Sequence, residues 1–299
     1  MSAGSTPTHA VRPPWVDDRL FPFRSHFLTV QGHTVHYVDE GDGPVLLLLH
    51  GNPTWSFLYR DMIRELRGRF RCVALDYPGF GLSTAAPGYT FLPEDHAAVV
   101  EAFVEALDLS DVTLMIQDWA GPIGLAAASR HPERYAAVII GNTWAWPITG
   151  DWHFEWFSHL FGGWVGTQLI QRFNLFVNLL IPKGHTRRKL SKGEMEHYRR
   201  PFPTPAQRSA TAIFPRRIAQ GADFLAEVER GLDELTHLPA LIVWGDKDIA
   251  FRVKEREAFE RRFPRHTVHV LRGAGHFIQD DAGDEIARAI TRWHPASRR

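Results

Sequence analysis

"LMIQDWAGPIGLA", Leu114–Ala126, runs apolar, turns polar over Gln117, Asp118 and Trp119, and then becomes small and helical. With the preceding residues it reads as a short strand, DVTLMIQD, that breaks at once into a helix starting at about Gly121. A turn this sharp at a strand's carboxyl end lifts one side chain above the sheet, and the side chain lifted here is Asp118. No serine is in reach. Asp at this spot also suits an N-cap for the following helix. The two readings part over the rest of the chain: a cap needs nothing more, whereas a nucleophile needs a base and a group to orient that base.

Seven further β-like runs surround this one: HFLTV, HTVHYVDE, VLLLLH, FRCVALD, AAVIIGN, ALIVWGD and HTVHVLR. The first two are separated only by Gln31-Gly32 and predict a hairpin. The last six of the eight alternate with helical stretches, which implies parallel strands joined by crossover helices. Helical spacing is clearest in Pro93–Leu107, where Ala97, Val100, Phe103, Val104 and Leu107 share a face behind an opening proline. Glu255–Phe263 and Asp281–Trp293 repeat the pattern more weakly.

Between Asn142 and Ala240 lies a stretch rich in Trp, Phe, Pro and Arg with no clear strand. A structureless loop of that length does not suit a compact protein. The expected organisation is an eight-stranded, mostly parallel α/β sheet flanked by helices, formed by 21–142 and 240–295. A helical cap is inserted at 143–239, and 1–20 is a loose N-terminal tail.

Lys plus Arg and Asp plus Glu are each 34 in 299 residues, so the whole chain carries no net field to attract nucleic acid or an anionic membrane. The run Arg187-Arg188-Lys189 reads as solvated surface. The longest aliphatic run, Val45–Leu49, falls far short of the roughly 20 residues needed to span a bilayer. The opening MSAGSTPTHAVRPP lacks the apolar stretch of a secretory signal. With the single Cys72 in an apolar run, these features make a reducing cytoplasm the expected compartment.

Two other strand ends are punctuated by glycine and proline: His50-Gly51-Asn52-Pro53 after VLLLL, and Asp76-Tyr77-Pro78-Gly79 after RCVAL. Asp248 follows the strand ALIVWG, and His276 follows HTVHVLR within Gly273-Ala274-Gly275-His276. Asp246 competes with Asp248, which is favoured by its spacing from Gly245. Nucleophile, acid and histidine then occur in the chain order of α/β-hydrolases, whose nucleophile elbow the Asp118 turn resembles.

The blocks HGNPTWSFLYR, DYPGFGLS, QDWAGPIGLA, GNTWAWP, WGDKDIAFR and GAGHFIQDD, spread from residue 50 to residue 281, resemble haloalkane dehalogenases. The resemblance implies that Asp118 attacks carbon, His276 activates water and Asp248 orients the histidine. It implies that the Trp119 indole and the Asn52 amide hold the departing halide. The backbone N–H groups of the same two residues would form the oxyanion hole. Asn142 stands where some members place a glutamate, so the chain looks like the subfamily with a late aspartate and an Asn/Trp halide pair. Ala120 departs from the usual glycine and predicts a slightly tighter elbow.

The implied partners are a small apolar halogenated substrate, halide and water, with no cofactor or metal. Epoxide hydrolases share the aspartate elbow but add proton-donating tyrosines, and 143–239 holds only Tyr198. A fluoroacetate-type dehalogenase would need arginines in the pocket. A catalytically silent ligand-binding protein is the remaining alternative. Aromatic residues of the insertion, Trp146, Trp152, Trp156, Trp164, Phe154, Phe157, Phe161, Phe173 and Phe176, are expected mainly to pack it, with a few lining a pocket. An exposed aromatic patch would support self-association.

Overall fold

The computed structural model describes residues 10–294. Residues 1–9 of the expected tail, and residue 295 of the main domain, lie outside the described residues. The rest of the tail is not loose. Val16 is buried, Trp15 meets Trp55 edge-on at 6.0 Å, and the Arg12 guanidinium donates to the carbonyls of Phe21 and Phe23, each at 2.6 Å.

The eight expected strands all form: β1 (His26–Val30), β2 (His33–Glu40), β3 (Val45–Leu49), β4 (Arg71–Leu75), β5 (Val112–Ile116), β6 (Tyr135–Ile140), β7 (Ala240–Gly245) and β8 (His266–Leu271). Their order across one sheet is β1-β2-β4-β3-β5-β6-β7-β8. The β1–β2 and β2–β4 pairs are antiparallel, and every later pair is parallel. Gln31 and Gly32 both take left-handed backbone, φ 49° and 81°, as a two-residue hairpin turn requires. Strands β5 and β7 are buried along their whole length, which is why they read as continuous apolar runs without alternation.

Three helices, α1 (Arg60–Leu66), α2 (Pro93–Ala106) and α3 (Ala120–Arg130), lie in the first half of the main body. Between β6 and β7 the chain is helical: α4 (Trp152–Gly162), α5 (Trp164–Phe173), a π turn (Phe176–Leu180), α6 (Ile181–Gly184), α7 (Lys192–Arg199), α8 (Ser209–Gln220) and α9 (Ala222–Gly231). Helices α10 (Val253–Arg262) and α11 (Ile278–Trp293) follow β7 and β8. Helix α1 packs on α11, α2 on α3, α4 on α8, and α9 returns to pack on α3.

A buried ionic cluster fastens the insertion to the main body. Arg60 of α1 pairs with Glu194 of α7 at 2.6 Å and with Asp280 of α11 at 2.5 Å. Asp280 also accepts from the Tyr198 hydroxyl at 2.6 Å and meets His185 at 3.0 Å. Burial alone would raise the Asp280 carboxyl, but Arg60, His185 and Tyr198 hold it well below the usual carboxylate range. Arg187 and Arg188, read as solvated surface, are drawn in as well. Arg187 pairs with Glu285 at 2.6 Å, and Arg188 pairs with Glu194.

Candidate active site

The parallel strands β3, β5, β6, β7 and β8 end on one edge of the sheet, where open α/β sheets bind ligands. Asp118 stands at the end of β5 with φ 52°, a left-handed conformation that costs a side-chain-bearing residue about 1–3 kcal/mol. Neighbouring backbone holds it there. Its N–H donates to the Asn142 carbonyl at 2.8 Å, and its carbonyl accepts from the Thr143 hydroxyl at 2.6 Å and from the Gly121 N–H at 2.9 Å.

Two glycines make room for this turn. A Cβ on Gly51 would sit 2.5 Å from the Asp118 Cβ and Oδ2, and one on Gly121 would run into the Thr143 hydroxyl. Ala120, by contrast, fits as the buried first residue of α3. The Asp118 side chain does not cap this helix: Trp119 is the N-cap residue, and α3 has no side-chain cap.

The two oxygens of Asp118 have different surroundings. Oδ2 accepts from the Asn52 N–H at 2.7 Å, and the Trp119 N–H bonds the same carboxylate. Oδ1 lies 3.8 Å from His276 Nε2, beyond hydrogen-bond reach. Burial pushes the Asp118 pKa up; His276 and the two N–H groups counter it only in part, and the net shift is upward.

His276 Nδ1 lies 3.0 Å from Asp248 Oδ2, and the Asp248 side chain is fully buried. Its other oxygen accepts from the Ala250 N–H at 2.7 Å. Burial lowers the His276 pKa, but pairing with Asp248 and the nearby Asp118 charge outweigh it, raising the value from 6.5 to about 9. Asp246 is occupied elsewhere, accepting from the Gly273 N–H at 2.6 Å. Asn142 does not approach the histidine either: its amide closes both bonds onto the Gly245 backbone, at 2.8 and 3.1 Å, and ties the end of β6 to β7.

These groups meet at a cavity of about 200 Å³. Asn52, Asp118, Trp119, His153, Lys183 and His276 contribute polar groups to its lining, while Phe154, Phe157, Phe176, Leu180, Phe251 and Phe277 make much of the apolar wall. Lys183 is the only cationic chain besides histidine in that lining, and no arginine is part of it. A wider polar cleft, about 310 Å³ between α2 and α3, contains none of these groups. No cluster of three or more potential metal ligands occurs among the described residues.

The Trp119 ring is buried, with Trp144 edge-on at 4.7 Å and Phe214 at 5.0 Å. Its indole N–H has no protein acceptor among the described residues and belongs to the cavity lining. Asn52 Nδ2 donates to the Thr211 carbonyl of α8 at 3.3 Å. An amide nitrogen carries two hydrogens, so one remains for a ligand.

Of the insertion's aromatics, Phe154, Phe157 and Phe176 line the cavity. Phe161 packs on Phe157 and Phe176, and Trp146 packs on Phe259. Trp152, Trp156, Trp164 and Phe173 are exposed.

Two residues near the reacting groups have no assigned role in the sequence. Trp144 lines the cavity with its indole nitrogen buried and unpartnered. Gln117, fully buried, donates from Nε2 to the His276 carbonyl at 3.1 Å and lies 3.3 Å from His276 Nε2. Turning the amide over would set its oxygen against that carbonyl, so the NH2 must face the histidine. A polar residue closing the apolar run of β5 was the available signal.

An alpha/beta hydrolase fold model matches residues 44–283. Haloalkane dehalogenase 2 of Mycobacterium tuberculosis is 44% identical over 276 residues, covering 92% of this chain and 96% of that protein. The cis-3-alkyl-4-alkyloxetan-2-one decarboxylase of Shewanella oneidensis is 31% identical, over 91% of this chain and 89% of its own length. Among solved structures, haloalkane dehalogenase DbeA from Bradyrhizobium elkani superposes with a TM-score of 0.84 at 26% identity, covering 92% of this chain and 99% of that one.

Proposed function

The chain belongs to the haloalkane dehalogenases of the α/β-hydrolase fold, and from that membership we propose that it hydrolyses carbon–halogen bonds through an ester on Asp118. Asp118 Oδ1 attacks the halogen-bearing carbon, the carbon–halogen bond breaks, and halide leaves toward the Trp119 indole and the Asn52 amide. Halide is a weak base and needs only hydrogen bonds. The product of this half-reaction is a neutral alkyl ester.

Hydrolysis of the ester then uses the other oxygen. Oδ2, already accepting from the Asn52 N–H, is the ester carbonyl oxygen and takes the negative charge when water adds to Cγ, with the Trp119 N–H as the second donor of the oxyanion hole. His276 Nε2 accepts the proton of that water, and Asp248 stabilises the imidazolium. Collapse releases the alcohol and restores the carboxylate; halide and one proton leave. Alkylation itself helps the base. It removes the Asp118 charge, one of the influences that keeps His276 protonated, so His276 loses its proton more readily when the ester is present. The inserted helices act as a cap whose phenylalanines keep bulk water from the site. With its one thiol, Cys72, buried, the enzyme suits a reducing cytoplasm.

The observation that carries this reading is the division of labour between the two Asp118 oxygens, one against the Asn52 backbone N–H and one toward a histidine paired with Asp248. Mass spectrometry of His276→Phe after exposure to a bromoalkane tests it. An alkyl adduct on the Asp118 peptide is expected, and an unmodified peptide alongside wild-type turnover would overturn the assignment.

The alternatives fare unequally. Tyr198, the insertion's one tyrosine, spends its hydroxyl on Asp280, which argues against epoxide opening. The arginine-free cavity argues against a haloacid substrate. The relationship to the oxetanone decarboxylase favours one second reading, a strained dialkyl lactone in the same apolar cavity. Alkene release from such a lactone, with no halide released from any bromoalkane, would select it.

A further inference from the structure

Eight of the large apolar side chains exposed among the described residues fall within Trp152–Leu179. Trp152, Trp156 and Leu160 form a stripe four residues apart along α4. Trp164, Val165, Leu169 and Phe173 continue it along α5, which packs on α4, and Leu179 extends it into the π turn. These elements also wall the cavity with their inner residues Phe154, Phe157 and Phe176. Exposed Ile249 stands in the lining of the same cavity.

Charge is distributed unevenly around this stripe. From Trp156 to Gly193 the sequence holds six Lys or Arg and no Asp or Glu, although the whole chain is neutral. Arg187 and Arg188 are neutralised by Glu285 and Glu194, but Arg172 and Lys183 have no acidic partner among the described residues. Beside Phe173 a cleft of about 260 Å³ is lined by Arg172, Arg199, Arg200 and Arg208. Arg208 is turned onto backbone carbonyls, and Glu196 is the one acid paired with Arg199 and Arg200. Glu155 is the acid among the aromatic residues of α4.

From this surface we propose that the insertion docks on an anionic phospholipid bilayer, with the α4–α5 aromatic stripe in the interface and the arginine cleft on lipid phosphates. Tryptophan rings favour the headgroup boundary, and amphipathic helices with basic flanks lie in it without spanning the membrane. No helix among the described residues is long and apolar enough to cross one. A symmetric pair of chains meeting through this face would set the same cations against each other, whereas an anionic surface complements them. Docking would bring the cavity to the phase in which an apolar substrate accumulates. The proposal rests on the surface alone and does not depend on which bond Asp118 attacks.

Flotation of the full chain with vesicles tests it, using phosphatidylcholine alone and equal parts phosphatidylcholine and phosphatidylglycerol. Binding to the mixed vesicles only, weakened by salt, is expected. Arg172→Glu should reduce it roughly tenfold or more, and the double variant Trp156→Ser/Trp164→Ser should abolish it. None of these three residues lines the cavity, so turnover of a small water-soluble bromoalkane should stay at the wild-type rate and report an intact fold. Equal binding to both vesicles, binding to neither, or a stable dimer split by the same substitutions would overturn the proposal.

Discussion

Replacing Asp248 by Asn separates the two half-reactions. His276 is raised from 6.5 to about 9 against the opposing effect of burial. That shift amounts to about 3 kcal/mol in favour of the imidazolium. Asp248, 3.0 Å from Nδ1, leads the groups responsible, and asparagine retains the shape without the charge. Ester hydrolysis, which develops the imidazolium, is therefore expected to slow by about a hundredfold or more. Alkylation needs no base and should change little. On rapid mixing with a bromoalkane, the variant should release about one equivalent of halide in a burst and accumulate adduct on the Asp118 peptide.

The pH dependence follows with a definite sign. In the wild type, the hydrolysis limb should rise with pH and lie below about 9, because alkylation has removed the Asp118 contribution. In Asp248→Asn burial acts with less opposition, so the limb should move to more acidic pH. Asp246→Asn is the control, since that side chain holds only the Gly273 N–H. Wild-type turnover without a burst in Asp248→Asn, or an equal loss in Asp246→Asn, would refute the reasoning.

Trp119→Phe and Asn52→Ala each remove one proposed halide donor. Bromide binding, followed by calorimetry, should weaken about 10- to 100-fold in each, the worth of a hydrogen bond to a charged group; unchanged affinity would remove that residue from the halide site. Gln117→Leu deletes a donor that favours the unprotonated ring of His276. Its hydrolysis limb should move to higher pH by up to about one unit, measured as ester decay against pH, and an unmoved limb would reduce Gln117 to packing.

Much of this architecture could be read along the chain because its causes are local. Strands buried on both faces are short apolar runs, and Gln31-Gly32 suits a hairpin whatever surrounds it. Asp118, Asp248 and His276 stood out because each follows a strand beside glycine-bearing turns. The insertion was harder to resolve. Helix α4 carries Trp152 and Trp156 outward and Phe154 inward, so its apolar residues do not mark a single face. That left the lining phenylalanines indistinguishable from the exposed tryptophans. Whole-chain neutrality hid the basic cleft for a related reason, since a sum over 299 residues says nothing of where charges lie.

By itself the sequence determined the strands, the turns that end them and the kinds of group those turns present, since backbone propensity and hydrophobic pattern act over a few residues. Only the tertiary structure decided how these groups act on one another. Asp118, Asp248 and His276 are brought together by the side-by-side order of β5, β6, β7 and β8, and the sign of the His276 shift came from burial weighed against two carboxylates. Electrostatic energy depends on distance and desolvation, and for groups carried at the ends of separate strands, as Asp118, Asp248 and His276 are, both arise only when the chain has folded.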